Sequence, residues 1–238
     1  MNLVVAGITL RGMVGRKRAL LLLALPLTLL VLAVTFRATG FDSPQDTAQL
    51  LQRFGLGTLL PLVALIAGTG VLSPEIDDGT IVFLLSKPVP RPAILHAKLA
   101  VAAGLTWLVV AVPMGISGLI LAGTAHGLAA GFVVGTLAGA LAYCAIFLLI
   151  TVVSRHAVVL GLIYALVWES LIGGYVPGAR ELSVQQWSLT IAAAFTHGGL
   201  LQTSVGLPAA IGLLAAAAVL ATILAGQRLR SLSIPGEV

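Results

Sequence analysis

Residues 128–153 read LAAGFVVGTLAGALAYCAIFLLITVV, a run of 26 residues without a charged side chain. As a helix rising about 1.5 Å per residue, this run is longer than the ~30 Å hydrocarbon thickness of a bilayer. The whole chain is 59% hydrophobic and 9% charged, whereas a soluble domain is about 25% charged. We infer that the solvent around most of this chain is lipid.

Five further apolar runs flank this one, and each is long enough to cross a membrane as a helix. The predicted fold class is therefore an all-α membrane protein with six transmembrane helices. The predicted spans are 19–36, 54–72, 99–122, 128–153, 157–173 and 207–225. No connection between them is long enough for a catalytic domain of about 100 residues, so we predict a single membrane domain over residues 1–238.

The distribution of basic residues predicts the orientation. An even number of spans places both termini on one side, and an N-in, C-in arrangement puts ten of the 13 Lys and Arg residues in the cytoplasm. That bias agrees with the positive-inside rule. It also explains the net charge of +5 without a nucleic-acid partner.

The predicted cytoplasmic loop between spans two and three reads SPEIDDGTIVFLLSKPVPRPAILHAK over residues 73–98. Three acids, Glu75, Asp77 and Asp78, precede a short apolar run at 80–85, and Pro88 follows it. These are the start and stop signals of a short helix. Such a helix has too much apolar surface to remain exposed to water, so we expect it to pack on another protein or on the chain's own spans. The alternative is a solvated connector.

The order of residues in this loop resembles the cytoplasmic signature of ABC-2-type permeases. In that family an acidic-x-acidic-x-Gly-Thr stretch leads to Leu-Leu-x-x-Pro-x-x-Arg and then to a lysine that opens the third span. Here Ala97 replaces the glycine that usually precedes this lysine. The resemblance implies that 80–85 is a coupling helix that fits a groove on an ATPase. The implied coupling residues are Glu75, Asp77, Asp78, Gly79, Thr80, Ile81, Phe83, Leu84, Leu85, Lys87, Pro88, Arg91 and Lys98. Of these, Arg91 and Lys98 are expected to anchor the loop at the membrane surface, by snorkelling or by pairing with lipid phosphates.

Two further segments are similar to parts of that family. Residues 2–18 resemble its N-terminal elbow helix on the inner surface, and residues 174–206 resemble its short external helices before span six. In the latter segment Val184, Trp187, Ile191 and Phe195 recur at helical spacing, which suits a helix lying in the outer interface or dipping partly into the membrane.

The resemblance also implies the partners. It predicts a permease subunit, and an exporter in particular, that pairs with a second permease chain, two ABC ATPase subunits and membrane lipid in a bacterial-type cell membrane. ATP and Mg²⁺ would bind the ATPase, and we expect no cofactor in this chain. Independently, the sequence has no Gly-Lys dipeptide, so the P-loop that cradles nucleotide phosphates is missing.

Two features inside the spans are further candidates. Glu169, near the predicted outer end of span five, has either a translocation-path or gating role or a structural hydrogen bond to a neighbouring helix. A stripe of glycines every fourth residue on span four allows close helix packing in lipid. Packing within one subunit is the default interpretation and a contact between subunits is the alternative. The stripe consists of Gly127, Gly131, Gly135 and Gly139.

Two other functions remain open from the residues alone. A stand-alone ion-coupled transporter would need an ionisable group near the bilayer midplane, for which Glu169 is the candidate. The stretch Gly115-Ile116-Ser117-Gly118, with His197 later, is similar to elements of rhomboid intramembrane serine proteases, in which a histidine activates the serine.

Overall fold

The computed structural model describes residues 16–41, 43–72, 91–172 and 178–231, and these residues are helical without strands. The all-α prediction is confirmed for this part of the chain. The predicted elbow (2–18), apart from its last three residues, and the predicted coupling helix (80–85) lie outside the described residues. The helices are α1 (Arg16–Thr39), α2 (Pro44–Gly70), α3 (Arg91–Thr106, then Trp107–Ala111 and Val112–Ala122), α4 (Leu128–Val153), α5 (Ala157–Ile163, then Tyr164–Ile172), α6 (Val184–Ala194) and α7 (Leu207–Ser231).

Five of these helices, α1 to α4 and α7, are long and apolar enough to cross a membrane. They coincide with predicted spans one to four and six. Helix α5, the predicted fifth span, is apolar but shorter. A sixth crossing therefore stays a prediction, as does the N-in, C-in orientation.

Helix α2 begins ten residues before the predicted start of its span at Phe54. Residues 44–53 include polar side chains, so hydropathy alone places them outside the membrane. The Ser43 side chain accepts a hydrogen bond from the Asp46 backbone N–H at 3.1 Å, and its hydroxyl donates to the Asp46 carboxylate at 2.6 Å. This is a capping arrangement that begins a helix regardless of hydropathy.

Two of the three π-helical segments directly precede a proline. Leu51–Leu59 comes before Pro61, and Trp107–Ala111 before Pro113. A proline lacks the N–H of a helical hydrogen bond, and its ring clashes with the carbonyl four residues back. In α2 the backbone widens, so that the Leu60 N–H donates to Gly55, five residues back. The prolines thus change the pitch of the spans without breaking them.

Helix α4 is the centre of the bundle, because α2, α3, α5, α6 and α7 all pack against it. Its side chains Phe132, Tyr143 and Phe147 are fully buried. Glycines allow the neighbouring helices to approach closely. A Cβ placed on Gly68 of α2, for example, would lie 2.9 Å from the Phe147 Cβ. Tight contact of this kind holds helices together in lipid, where burial of apolar area contributes little.

Buried hydroxyl groups in this core are mostly satisfied within their own helices. Four threonines each donate to the carbonyl one turn back, at 2.6–2.9 Å. In an apolar environment an unpaired hydroxyl costs on the order of 1–3 kcal/mol, so this local bond makes threonine acceptable there. The four are Thr69, Thr106, Thr136 and Thr151.

Candidate functional site

A buried lysine about two turns into α3 is the predicted coupling residue whose side chain the structure describes. Lys98 is 1% exposed, and its ammonium donates to the Val71 carbonyl, at the end of α2, over 2.6 Å. The carbonyls at a helix C-terminus carry partial negative charge, which a cation stabilises. Lys98 therefore connects the end of α2 to the start of α3, across the two ends of segment 73–90.

This position corrects one sequence-based expectation. We expected Lys98 to reach the membrane surface and pair with lipid phosphates. Instead its ammonium points inward, because the free carbonyls at the C-terminus of α2 are within reach of its side chain. Arg91 begins α3, and nothing is described of its side chain. The remaining predicted coupling residues, between Glu75 and Pro88, lie outside the described residues.

Glu169 is fully buried and accepts four hydrogen bonds from its own chain. One carboxylate oxygen accepts from the Tyr164 hydroxyl at 3.2 Å and from the Val184 N–H at 3.1 Å. The other accepts from the Ser183 hydroxyl and from the Gln185 N–H at 3.4 Å. Two oxygens of an ionised carboxylate offer about four acceptor sites, so these donors fill them.

Three of the four donors, at residues 183–185, belong to the start of α6, and this helix lies along the first half of α4. Ser188, in the second turn of α6, faces Gly139, and the C-terminal end of α6 faces Gly127. At about 1.5 Å per residue, the α6 N-terminus lies about 24 Å from the start of α4, itself about 39 Å long. Glu169 is therefore deep in the bundle, beside the middle of α4. It also lies close to the end of α5, as predicted, and its position relative to the outer face of the membrane stays a prediction.

All four glycines of the predicted stripe face α6. A Cβ on Gly131 would lie 2.5 Å from the Ala192 carbonyl oxygen, and one on Gly135 would lie 2.5 Å from that of Ser188. Cβ atoms essentially never approach other heavy atoms so closely. The stripe is thus the surface on which α6 packs within one chain, and we call this surface the glycine seat.

Helix α6 is more deeply buried than an interfacial helix would be. Its apolar positions Val184, Trp187 and Ile191 are buried, and so are the polar residues Gln186 and Thr190. This burial agrees with the alternative in which the helix dips into the bundle beside α4, and its position relative to the outer interface stays a prediction. The spacing of its apolar residues indicated a helix but not what would cover its polar side.

Sequence reasoning missed most partners of Glu169. Tyr164 lies in an ordinary apolar run, and Gln185 lies on the side of α6 opposite its apolar positions. Ser183 did carry a usable signal, because a serine directly before an apolar helical pattern is a typical N-cap.

The residues of a protease do not come together. Ser117 is fully buried, and its hydroxyl has no hydrogen-bond partner among the described residues. His197 is exposed, and its backbone N–H donates to the His126 carbonyl at 2.8 Å. No histidine therefore activates this serine. Within the described ranges, no group of three His, Cys, Asp or Glu residues could hold a metal ion.

A shallow groove of about 570 Å³ lies where α3 passes α4. Its lining is apolar and includes Gly104, Trp107, Gly115 and Val133. The Trp107 indole N–H already donates to the Leu137 carbonyl at 3.0 Å. The groove therefore offers no free polar group from Trp107 that would orient a polar ligand.

The comparison with known families agrees with this architecture. A family model described as ABC-2 family transporter protein matches residues 11–179. The match covers α1 to α5 and the segment that resembles the coupling signature, whereas α6 and α7 follow it. No curated protein matches the chain. Proteins of this family are membrane permease subunits without catalytic activity of their own, and they generally work with an ABC ATPase. The chain belongs to the ABC-2 family of transporter permeases, as a multi-pass membrane protein.

Proposed function

We propose that this chain is the membrane-spanning subunit of an ATP-driven exporter in a bacterial-type cell membrane. Two permease chains, identical or paralogous, would form the pathway, and two ABC ATPase subunits would bind at the cytoplasmic loops. Family membership supports the permease role. The absence of a Gly-Lys dipeptide supports an ATPase on a separate chain.

The observation that carries the coupling part of this proposal is the bond between Lys98 and Val71. Segment 73–90, which holds the coupling signature, leaves from α2 and returns to α3. Because Lys98 joins these two helices at the base of the segment, a force on the segment acts on both spans together. ATP-driven closure of the ATPases would then shift the spans between two packings.

The docking role of the loop is tested by two substitutions. Phe83→Asp or Leu84→Asp should abolish co-purification of the ATPase while leaving membrane insertion intact, because an ionised carboxylate cannot enter an apolar groove without a large desolvation cost. Phe41→Asp is the matched control, since Phe41 is 61% exposed in the connection between α1 and α2. Unchanged co-purification by the loop variants would refute the docking role, and an equal loss in the control would assign the effect to insertion.

A stand-alone ion-coupled transporter remains the second candidate, because Glu169 does lie deep in the bundle. An ion-carrying carboxylate, however, has to exchange its partner during transport. Here all four acceptor positions are occupied by hydrogen bonds from the chain itself. Purification of the tagged chain from its native membrane distinguishes the two functions, since a stoichiometric P-loop ATPase is expected only for the first.

A further inference from the structure

The first backbone N–H groups of α6 need hydrogen-bond acceptors that α6 itself does not supply. The first four N–H groups of a helix have no partner within the helix. Because Ser183 and Val184 at the start of α6 are buried, these N–H groups need acceptors from elsewhere in the protein. Ser183 stands at the N-cap position, but its side chain accepts no hydrogen bond from α6. Its hydroxyl donates to Glu169 instead.

The missing acceptor comes from another helix. The Glu169 carboxylate, at the end of α5, accepts the N–H groups of Val184 and Gln185, which are the first two residues of α6. A negative charge at this position also complements the positive end of the helix dipole. An ordinary N-cap is the residue next to its helix, whereas this acceptor precedes the helix by 15 residues.

We propose that Glu169 is a positioning residue that acts as a remote N-cap and fixes α6 to α5. The start of α6 also has a contact with α2, where the Gln185 side-chain amide donates to the Gln52 carbonyl at 3.4 Å. That hydrogen bond is neutral, and it is weaker than the set of four that the carboxylate accepts. When α2 shifts relative to α5, the Gln52 contact breaks first and α6 stays with α5 on the glycine seat of α4.

The remote cap does not depend on the proposed transport function, so its test needs no ATPase and no substrate. Hydrogen–deuterium exchange is measured on the full chain in lipid nanodiscs, for wild type and Glu169→Gln. The amide group of Gln presents N–H donors where the carboxylate accepted, so two of the four hydrogen bonds lose their acceptor. We expect exchange over residues 184–188 to accelerate about tenfold, with α4 and α7 unchanged.

Gln185→Ala is the matched control, because it removes the contact with Gln52 and keeps both backbone N–H groups on Glu169. Its exchange over 184–188 should stay within about twofold of wild type. Unaltered protection in Glu169→Gln overturns the proposal. So does acceleration that extends equally to α4 and α7, or an effect of Gln185→Ala as large as that of Glu169→Gln.

A second variant keeps the proposal testable if Glu169→Gln does not fold. Glu169→Asp keeps the charge but shortens the side chain by one methylene group, so the carboxylate draws back from the α6 N–H groups. We expect a smaller acceleration, about twofold to fivefold, confined to the same residues. Protection identical to wild type in Glu169→Asp would then overturn the proposal.

Discussion

The seat of α6 on α4 predicts the effect of a single methyl group at Gly135. In Gly135→Ala the new Cβ would lie 2.5 Å from the Ser188 carbonyl oxygen and 3.1 Å from the Ala192 Cβ. The first distance is about 0.9 Å short of ordinary van der Waals contact. The obstacle is a backbone atom of α6, so a change of rotamer does not relieve the clash and α6 has to move away from α4.

The magnitude follows from two opposing terms. Overpacking of a tight interface costs about 1–3 kcal/mol, whereas alanine is favoured over glycine inside a helix by about 1 kcal/mol. Gly212→Ala in α7 isolates the second term, because nothing lies within 4 Å of a Cβ at that position. The free energy of unfolding should therefore be about 1–3 kcal/mol lower for Gly135→Ala than for Gly212→Ala.

The assay is thermal unfolding of both variants in the same nanodiscs, followed by tryptophan fluorescence. Both variants carry Trp107→Phe and Trp168→Phe, so that Trp187 is the one tryptophan left. Trp187 on α6 is 7% exposed, so its emission changes when α6 loses its buried position. For a chain of this size the difference corresponds to a Tm roughly 2–12 °C lower for Gly135→Ala than for the control. An equal or higher Tm for Gly135→Ala would refute the conclusion that the glycine stripe seats α6.

Two further substitutions test individual buried groups. Lys98→Met should leave insertion and ATPase co-purification intact but reduce the ATPase rate of the assembled complex on the order of tenfold. The reason is that the loss of a charged hydrogen bond of about 1.5 kcal/mol separates α2 from α3. A wild-type ATPase rate would contradict the coupling role of Lys98. Ser117→Ala removes a buried hydroxyl without a partner, so it should raise Tm by roughly 0–4 °C, and a clear decrease in Tm would show that the hydroxyl is bonded.

The apolar runs of the sequence predict the helices well because the surrounding solvent is lipid hydrocarbon. In hydrocarbon every backbone N–H and C=O has to be satisfied within its own segment, so a long apolar run becomes a helix. The runs at 128–153 and 207–225 correspond to α4 and α7 for that reason. The start of α2 was misplaced because hydropathy does not register the Ser43 cap, although Ser43 followed by Asp46 is a readable capping signal.

For the candidate sites, the sequence likewise marked the residues but not their contacts. Helical periodicity alone places Gly131, Gly135 and Gly139 on one face of α4, and the presence of a carboxylate in an apolar run alone marks Glu169 as unusual. Neither pattern names the partner. Periodicity is a property of one helix, whereas a partner depends on how two helices pack.

By itself the sequence determined the helices, the family signature at 75–98 and the glycine face, because each depends on residues close together along the chain. Only the tertiary structure showed that α6 covers the glycine face and that Lys98 donates to a carbonyl 27 residues earlier. It also showed that Glu169 accepts hydrogen bonds from the first N–H groups of α6. In lipid, helices associate through close packing and a few polar bonds instead of a pattern of apolar area. Those contacts join residues that are distant along the chain, so local sequence patterns do not predict them.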